Sequence, residues 1–352
     1  MKVLHLAAGN RWTGAAAPAF AEVAALRGAG VDAHYAYVGG YKLQAKIGKL
    51  DFTHPIIGKA QNPFSFVGSA GAIERLLDHH GFDIVHAHLT YDHLLARFAT
   101  RTWRTSVART FHSRRVIRSD PFAKSLLART DLVCVINDAL REAPPIRNRA
   151  PLFTPPPVDT LEFHPDGSDV RSKYEITSDS LVVAVIGKLS KGRGFELALE
   201  TFAAIQRRMP NSRMMIIGHG EHRPSLEKLA GDLEIASKVI WAGYHEDDLA
   251  DYYRSADFLL FTAKGSDEGH RAVIEAMACG TVPVTAPLPG MEAIVGSLPL
   301  IARSANADAL ALHLLSCLDD LDDLREKAVE QVGEFAYPRA AQRLLDSYSR
   351  VL

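Results

Sequence analysis

Short aliphatic runs alternate with longer stretches whose apolar residues recur every three or four positions, beginning at the second residue. Lys2–Ala7 reads as a strand, 9–14 as a turn of small residues, Ala15–Gly28 as a helix closed by Gly28 and Gly30, and Val31–Val38 as the next strand. The stretch 40–65 is polar and reads as loop, although Lys42, Lys46 and Lys49 keep helical spacing. Helix Ala70–His80, strand Asp83–His88, helix Asp92–Thr102 and strands Ser106–His112 and Leu132–Ile136 continue the series, for about six strands in the first half. A proline-rich segment, 151–165, interrupts the pattern, which restarts at strand Leu181–Ile186. Helix Glu196–Arg208, strand Arg213–Ile217, helix Arg223–Leu229, strand Val239–Trp241, helix Asp247–Ser255 and strand Phe258–Thr262 follow. Helix Val273–Cys279, strand Val282–Ala286, helix Ala307–Leu318 and an amphipathic tail, Tyr337–Leu352, complete it. Strands separated by crossover helices build parallel sheets, so the restart predicts two doubly wound α/β domains.

Length and composition agree with that division. The 352 residues suffice for two cores, and 47% hydrophobic with 23% charged residues is the balance of a soluble globular chain. No apolar run reaches the length of a membrane helix, and the N-terminus reads as a strand rather than a secretory signal, which predicts a cytoplasmic protein. Cys134, Cys279 and Cys317 lie too far apart for a metal motif or a disulfide framework. The net charge is −1, but residues 1–160 carry 20 Lys and Arg against 12 Asp and Glu, and the remainder 20 against 29. Nine of the basic residues fall between Arg97 and Arg129, where Asp120 is the one acid. Such a segment reads as a solvated face or as a surface for an anionic partner, a phosphate-bearing acceptor or the inner face of a membrane.

The chemistry-bearing residues sit in turns between strands and helices. In Gly265-Ser266-Asp267-Glu268-Gly269-His270-Arg271 an acidic turn precedes an apolar helix carrying Glu275, with seven residues between Asp267 and Glu275. Val185-Ile186-Gly187-Lys188-Leu189-Ser190-Lys191-Gly192-Arg193-Gly194 is a strand, a basic glycine-rich turn and a helix start, where N–H groups and cations can meet phosphate. Gly218-His219-Gly220 lets backbone approach a ligand closely, but Arg223 stands where a dinucleotide fingerprint has its third glycine. In the first half, Ala8-Gly9-Asn10-Arg11-Trp12-Thr13-Gly14 opens the first helix, and His86, His88 and His112 lie on strands. Glycines of this kind also serve plain turns, Asp267 could merely cap its helix, and strand histidines are usually structural.

In order and spacing these segments resemble the family-4 retaining glycosyltransferases, of the group 1 or glycogen synthase superfamily. Asp267 stands where the first glutamate of the E-x7-E signature is found, with Glu268 as competing candidate. Lys188 and Arg193 interchange the two cations of the G-R-L-x-x-x-K-G element, and Pro156-Pro157 replaces the Asn-Gly of the interdomain linker. The resemblance implies a GT-B fold, two Rossmann-like domains facing a central cleft: an acceptor-binding domain at 1–160, a nucleotide-sugar-binding domain at 161–335, and a C-terminal helix at 336–352 crossing back to the first. It implies donor contacts from Gly14, Lys188, Arg193, Gly218, His270, Arg271 and Glu275, with His112 and Asp267 at the reacting sugar. No cofactor and no metal are implied. The implied partners are a UDP- or GDP-sugar and a saccharide or lipid-linked anionic acceptor in cell-envelope glycan, lipopolysaccharide or glycolipid synthesis, with peripheral membrane contact through the basic domain and no nucleic acid. A catalytically silent nucleotide-binding relative, or a GT-B epimerase or phosphorylase, are the alternatives that the departures leave open.

Overall fold

The structure, a computed structural model, describes residues 1–9, 14–60, 63–101, 104–263 and 269–352. The chain divides into two compact units, Met1–Pro157 with Glu334–Leu352, and Val158–Gly333. The first unit contains β1 Lys2–Ala7, α1 Ala16–Gly28, β2 Asp32–Val38, α2 Lys42–Ile47, β3 Thr53–Ile57, α3 Pro63–His80, β4 Ile84–Ala87, α4 Thr90–Ala99, β5 Ser106–Phe111, α5 Pro121–Leu127, β6 Leu132–Val135 and β7 Leu152–Phe153. The second contains β8 Leu181–Ile186, α6 Phe195–Gln206, β9 Ser212–Ile217, α7 Arg223–Asp232, β10 Val239–Gly243, α8 Leu249–Arg254, β11 Phe258–Phe261, α9 Arg271–Ala278, β12 Val282–Thr285, α10 Glu292–Val295, α11 Ala307–Ser316 and α12 Leu321–Val332. A last helix, α13 Tyr337–Tyr348, belongs to the first unit.

Both sheets are parallel throughout. The first runs β3-β2-β1-β4-β5-β6-β7 and the second β10-β9-β8-β11-β12, so each changes direction beside its first strand. Parallel strands are buried on both faces, which is why β6, β8 and β11 read as unbroken apolar runs with little polar alternation. Alternate residues of the first sheet enter two cores. Val3, Ala7, Ile84, Ala108, Leu132 and Cys134 pack with α1 and α13, while Leu4, Leu6, Val85, Ala87 and Val107 pack with α3 and α4. Ala25 of α1 meets Ala340 and Ala341 of α13, and these small side chains let the two helices approach closely.

The segment 40–65 is not the loop that its polarity predicts. Leu43 and Ile47 turn one face of α2 into the core, and β3 pairs with β2 at the sheet edge, where Pro55 removes no needed ladder bond. The helix expected at 70–80 starts seven residues earlier, and α5 is added, its N-terminus fixed by Pro121 and by Asp120 accepting from Ala123 N at 3.1 Å. No helix among the described residues is long and apolar enough to cross a membrane.

Candidate functional site

In the second unit the predicted residues gather at the carboxyl ends of the strands, around the change of direction between β8 and β11, where open α/β sheets bind ligands. The turns after β8 and β9 are stitched together by backbone, with Leu189 N donating to His219 O at 3.0 Å and His222 N to Leu189 O at 3.1 Å, and Gly218 N donates at 2.6 Å to Gly243 O at the end of β10. A Cβ on Gly218 would collide with the Gly187 carbonyl, one on Gly220 with the Leu189 carbonyl, and one on Gly194 with the Thr262 carbonyl. Gly218 has φ +143° and Gly194 φ +82°, so both glycines are required by conformation as well as by space. Thr262 Oγ1, just past β11, donates to Gly194 O at 2.8 Å and draws a third loop into the same group. Lys188 projects from it, exposed, with its ammonium 3.8 Å from Glu221.

Glu275 lies in the second turn of α9, nearly buried. Its Oε2 accepts from Tyr253 Oη at 3.2 Å and its Oε1 stands 3.2 Å from Arg271 Nε, one helical turn earlier. Burial, with the Glu275 charge beside it, holds the Tyr253 phenol well above its ordinary range. His270, at φ +54°, is the residue from which α9 starts, and its Nε2 is 3.1 Å from Pro289 O, tying α9 to the loop after β12. Asp267 and Glu268 lie outside the described residues.

In the first unit Gly14 adopts φ +62° in the turn before α1. His112 follows β5, half-buried, with Nε2 3.0 Å from Nδ1 of the buried His88 and with no hydrogen-bond partner for Nδ1 among the described residues. Burial and the nearby Arg109 guanidinium push the His112 imidazole down to about 3, so it is neutral at physiological pH. Sequence reasoning missed most of what surrounds it. The charge pattern groups Arg109 with the basic segment, yet it is buried on the α4 side of the sheet, with Nη1 3.9 Å from Asp92 Oδ1. Asp92 accepts from the backbone N–H of Ala8, His88 and Leu89, which ties the end of β1 to the start of α4. Burial raises the Asp92 carboxyl to about 7 against the pull of Arg109 and those three donors. Arg101, Arg104, Arg114, Arg115, Arg118, Lys124 and Arg129 do reach the surface, Arg97 is half-buried, and Trp103 lies outside the described residues.

His86 and His88 belong to a chain of buried polar groups that also includes His5 on β1, Glu22 on α1 and Tyr348 on α13. Burial pushes Glu22 up to about 8 and His5 down to about 3. The alternation His86, His88 on one strand and Thr110, His112 on its neighbour was the visible signal; Glu22, inside an alanine-rich helix, gave none.

Comparison with known proteins matches both halves. The sequence model described as "Glycosyl transferases group 1" matches residues 167–334, and that of "Glycosyltransferase Family 4" matches residues 13–143. The chain is similar to a D-inositol 3-phosphate glycosyltransferase of Nocardia farcinica, 25% identical over 304 residues, 77% of this chain and 67% of the relative. It is 26% identical over 189 residues to the lipopolysaccharide core biosynthesis glycosyltransferase LpsE of Rhizobium meliloti, 52% of each chain. Anabaena Alr3699/HepE, solved in complex with UDP, superimposes with a TM-score of 0.83 at 16% identity, over 99% of this chain and 100% of that one, and shows the fold to be GT-B.

Proposed function

Because this chain belongs to the group 1 glycosyltransferases of family 4, we propose that it moves a hexosyl unit from a UDP- or GDP-sugar to a hydroxyl of a saccharide or lipid-linked anionic acceptor, with retention at the anomeric carbon. The bond between the anomeric carbon and the diphosphate oxygen breaks, the bond to the acceptor oxygen forms on the same face, and the acceptor proton passes to the departing phosphate. The diphosphate charge is met without a metal ion by Lys188 and Arg193 and by the N–H groups of the Gly187 and Gly218 turns. Glu275 accepts the two ribose hydroxyls, for which its two carboxylate oxygens are suited, and Arg271 and His270 flank it. Asp267 binds hydroxyls of the transferred sugar. In the first unit, Gly14 lets backbone approach the diphosphate, and neutral His112 contacts the sugar near the reacting carbon, backed by the Arg109–Asp92 pair.

The observation that carries this reading is the interlocked set of glycine turns at the β8/β11 change of direction, with Lys188 above it and Glu275 on the following helix. The inositol phosphate and lipopolysaccharide relatives support an anionic acceptor, and the exposed arginines Arg101, Arg104, Arg114, Arg115 and Arg118 offer it, or an anionic membrane surface, a charged face. Thermal shifts against UDP, GDP, ADP and their sugars test the proposal with wild type beside Glu275→Ala and Lys188→Ala. A rise in Tm with one nucleotide, lost in both variants, is expected, followed by donor turnover that depends on acceptor. No rise with any nucleotide at millimolar concentration refutes the donor site, and turnover without acceptor refutes transfer in favour of epimerisation.

A further inference from the structure

The core between the first sheet and helices α1 and α13 contains a polar seam that sugar transfer does not use. His5 and His86 are register partners on β1 and β4, His88 follows two residues on and faces the same way, and Glu22 reaches them from α1. All four side chains are buried, and Glu22 Oε2 has no hydrogen-bond partner among the described residues. A carboxyl oxygen left dry and unbonded is costly, and a cation bound there would both satisfy it and hold Glu22 in its ionised form.

The distances say what fits. Glu22 Oε2 is 3.6 Å from His5 Nδ1 and 3.7 Å from His88 Nε2, and those nitrogens are 2.9 Å apart. The points equidistant from three atoms so placed begin about 2.0 Å from each, in their plane, and lie about 2.1 Å from each at about 0.7 Å off that plane; both lengths suit a zinc bond to imidazole nitrogen or carboxylate oxygen, and the off-plane position leaves room for a fourth ligand. The three separations average about 3.4 Å; a tetrahedron with bonds of about 2.05 Å has edges of about 3.3 Å, whereas an octahedron with bonds of about 2.1 Å has edges of about 3.0 Å. We propose that His5 Nδ1, His88 Nε2 and Glu22 Oε2 form a buried tetrahedral site for a divalent ion of the zinc class, tying β1, α1 and the end of β4 together.

The surrounding groups have the hydrogen bonds such a site needs. With His5 bound through Nδ1, its Nε2–H donates to Tyr348 Oη at 3.2 Å, Tyr348 donates to His86 Nδ1 at 2.7 Å, and His86 Nε2–H donates to Thr110 Oγ1 at 2.7 Å. With His88 bound through Nε2, its Nδ1–H donates to His112 Nε2 at 3.0 Å. Each ring nitrogen of His5, His86 and His88 is then used once, and Glu22 borders a cavity of about 10 Å³, the size of one water, beside Thr154 and Leu344. Without an ion, His5 and His88 must share one proton between Nδ1 and Nε2, and the chain can run in either direction. With an ion, His88 always donates, so His112 must carry its own proton on Nδ1. The ion would thus set the tautomer of His112. That consequence rests on the role proposed above for His112; the site itself does not.

Metal content tests the site independently of activity. Wild type is unfolded, refolded with Zn²⁺ or with Co²⁺, passed over a chelating resin and analysed for metal, beside Glu22→Gln and His5→Gln. One ion per chain is expected in wild type, with the intense visible absorption of tetrahedral Co²⁺, a Tm above that of protein refolded with EDTA, and at least about a tenfold loss of retained metal in either variant. Folded wild type that keeps no more metal than Glu22→Gln overturns the proposal, as does Co²⁺ bound with only the weak absorption of octahedral coordination. If neither variant folds, wild type alone decides: a native chain that retains less than about a tenth of an ion after refolding in Zn²⁺ has no such site.

Discussion

The interlocked turns of the second unit permit a sharp test, replacement of Gly218 by alanine. The added Cβ falls well inside 3.0 Å of the Gly187 carbonyl oxygen, a backbone atom that cannot rotate away. The turns after β8 and β9 must part by about 1 Å, against the bonds from Gly187 N to Ile217 O and from Leu189 N to His219 O. Overpacking of this kind costs about 1–3 kcal/mol, and alanine at φ +143° adds about 1–3 kcal/mol of backbone strain. Gly192→Ala is the control, because Gly192 has φ +79° but nothing within 4 Å of its Cβ position. There the strain is about 1–2 kcal/mol, and the lower entropy of the unfolded alanine chain offsets the same part of the cost in both variants. Gly218→Ala should therefore be less stable than Gly192→Ala by about 2–4 kcal/mol, which shifts the urea midpoint by roughly 1–2 M. Trp241 on β10, next to β9, reports the second unit when Trp12 and Trp103 are replaced by phenylalanine. If the two alanine variants unfold within about 0.5 kcal/mol of each other, the turns do not constrain one another and the argument fails.

Asp257 accepts from Arg171 Nη2 at 2.9 Å, Arg325 Nη2 at 2.6 Å and Val182 N at 2.8 Å, joining β8, β11 and α12. Asp257→Asn leaves Arg171 without its counter-charge and Arg325 with the exposed Asp322 alone, and should cost about 2 kcal/mol by urea unfolding, less than for a fully buried pair because Arg325 is partly solvated. His93, bonded to Thr130 Oγ1 at 2.8 Å, is pushed down to about 3 by burial and by Arg109 and Arg97. Its unfolded form takes up a proton below about pH 6.5 that the folded form refuses, so this residue makes stability fall as pH drops from 6.5 towards 3, by about 1.4 kcal/mol per unit. His93→Gln keeps a partner for Thr130 and cannot titrate; between pH 7 and 5 it should lose about 2 kcal/mol less than wild type, and equal losses would show that His93 does not resist protonation.

The fold was legible wherever burial on both faces forced unbroken aliphatic runs, as in Leu181–Ile186, and wherever close approach of backbone required a glycine, as at Gly194 and Gly218. It was not legible at β3, whose Thr-His-Pro start belongs to an edge strand with little burial, nor at β7, which is two residues long. The charge pattern misled at Arg109, because a guanidinium buried against Asp92 looks in the sequence like any other member of a basic run. Within the seam, Tyr348 and His5 meet across 343 residues, a pairing no local period can reveal.

The return of α13 to the first unit has a consequence for the order in which the molecule can be built. The second unit is one uninterrupted segment nested inside the first, which the chain leaves at Pro157 and re-enters at Glu334. On a ribosome adding about 5–20 residues per second, β1–β7 emerge first and then wait about 10–35 s for the helix that covers Ala25 and supplies Leu344 and Tyr348. Throughout that interval His5, His86 and Glu22 lack their lid, while Val158–Gly333 has everything it needs to close on itself. The half of the protein synthesised first is therefore the half completed last.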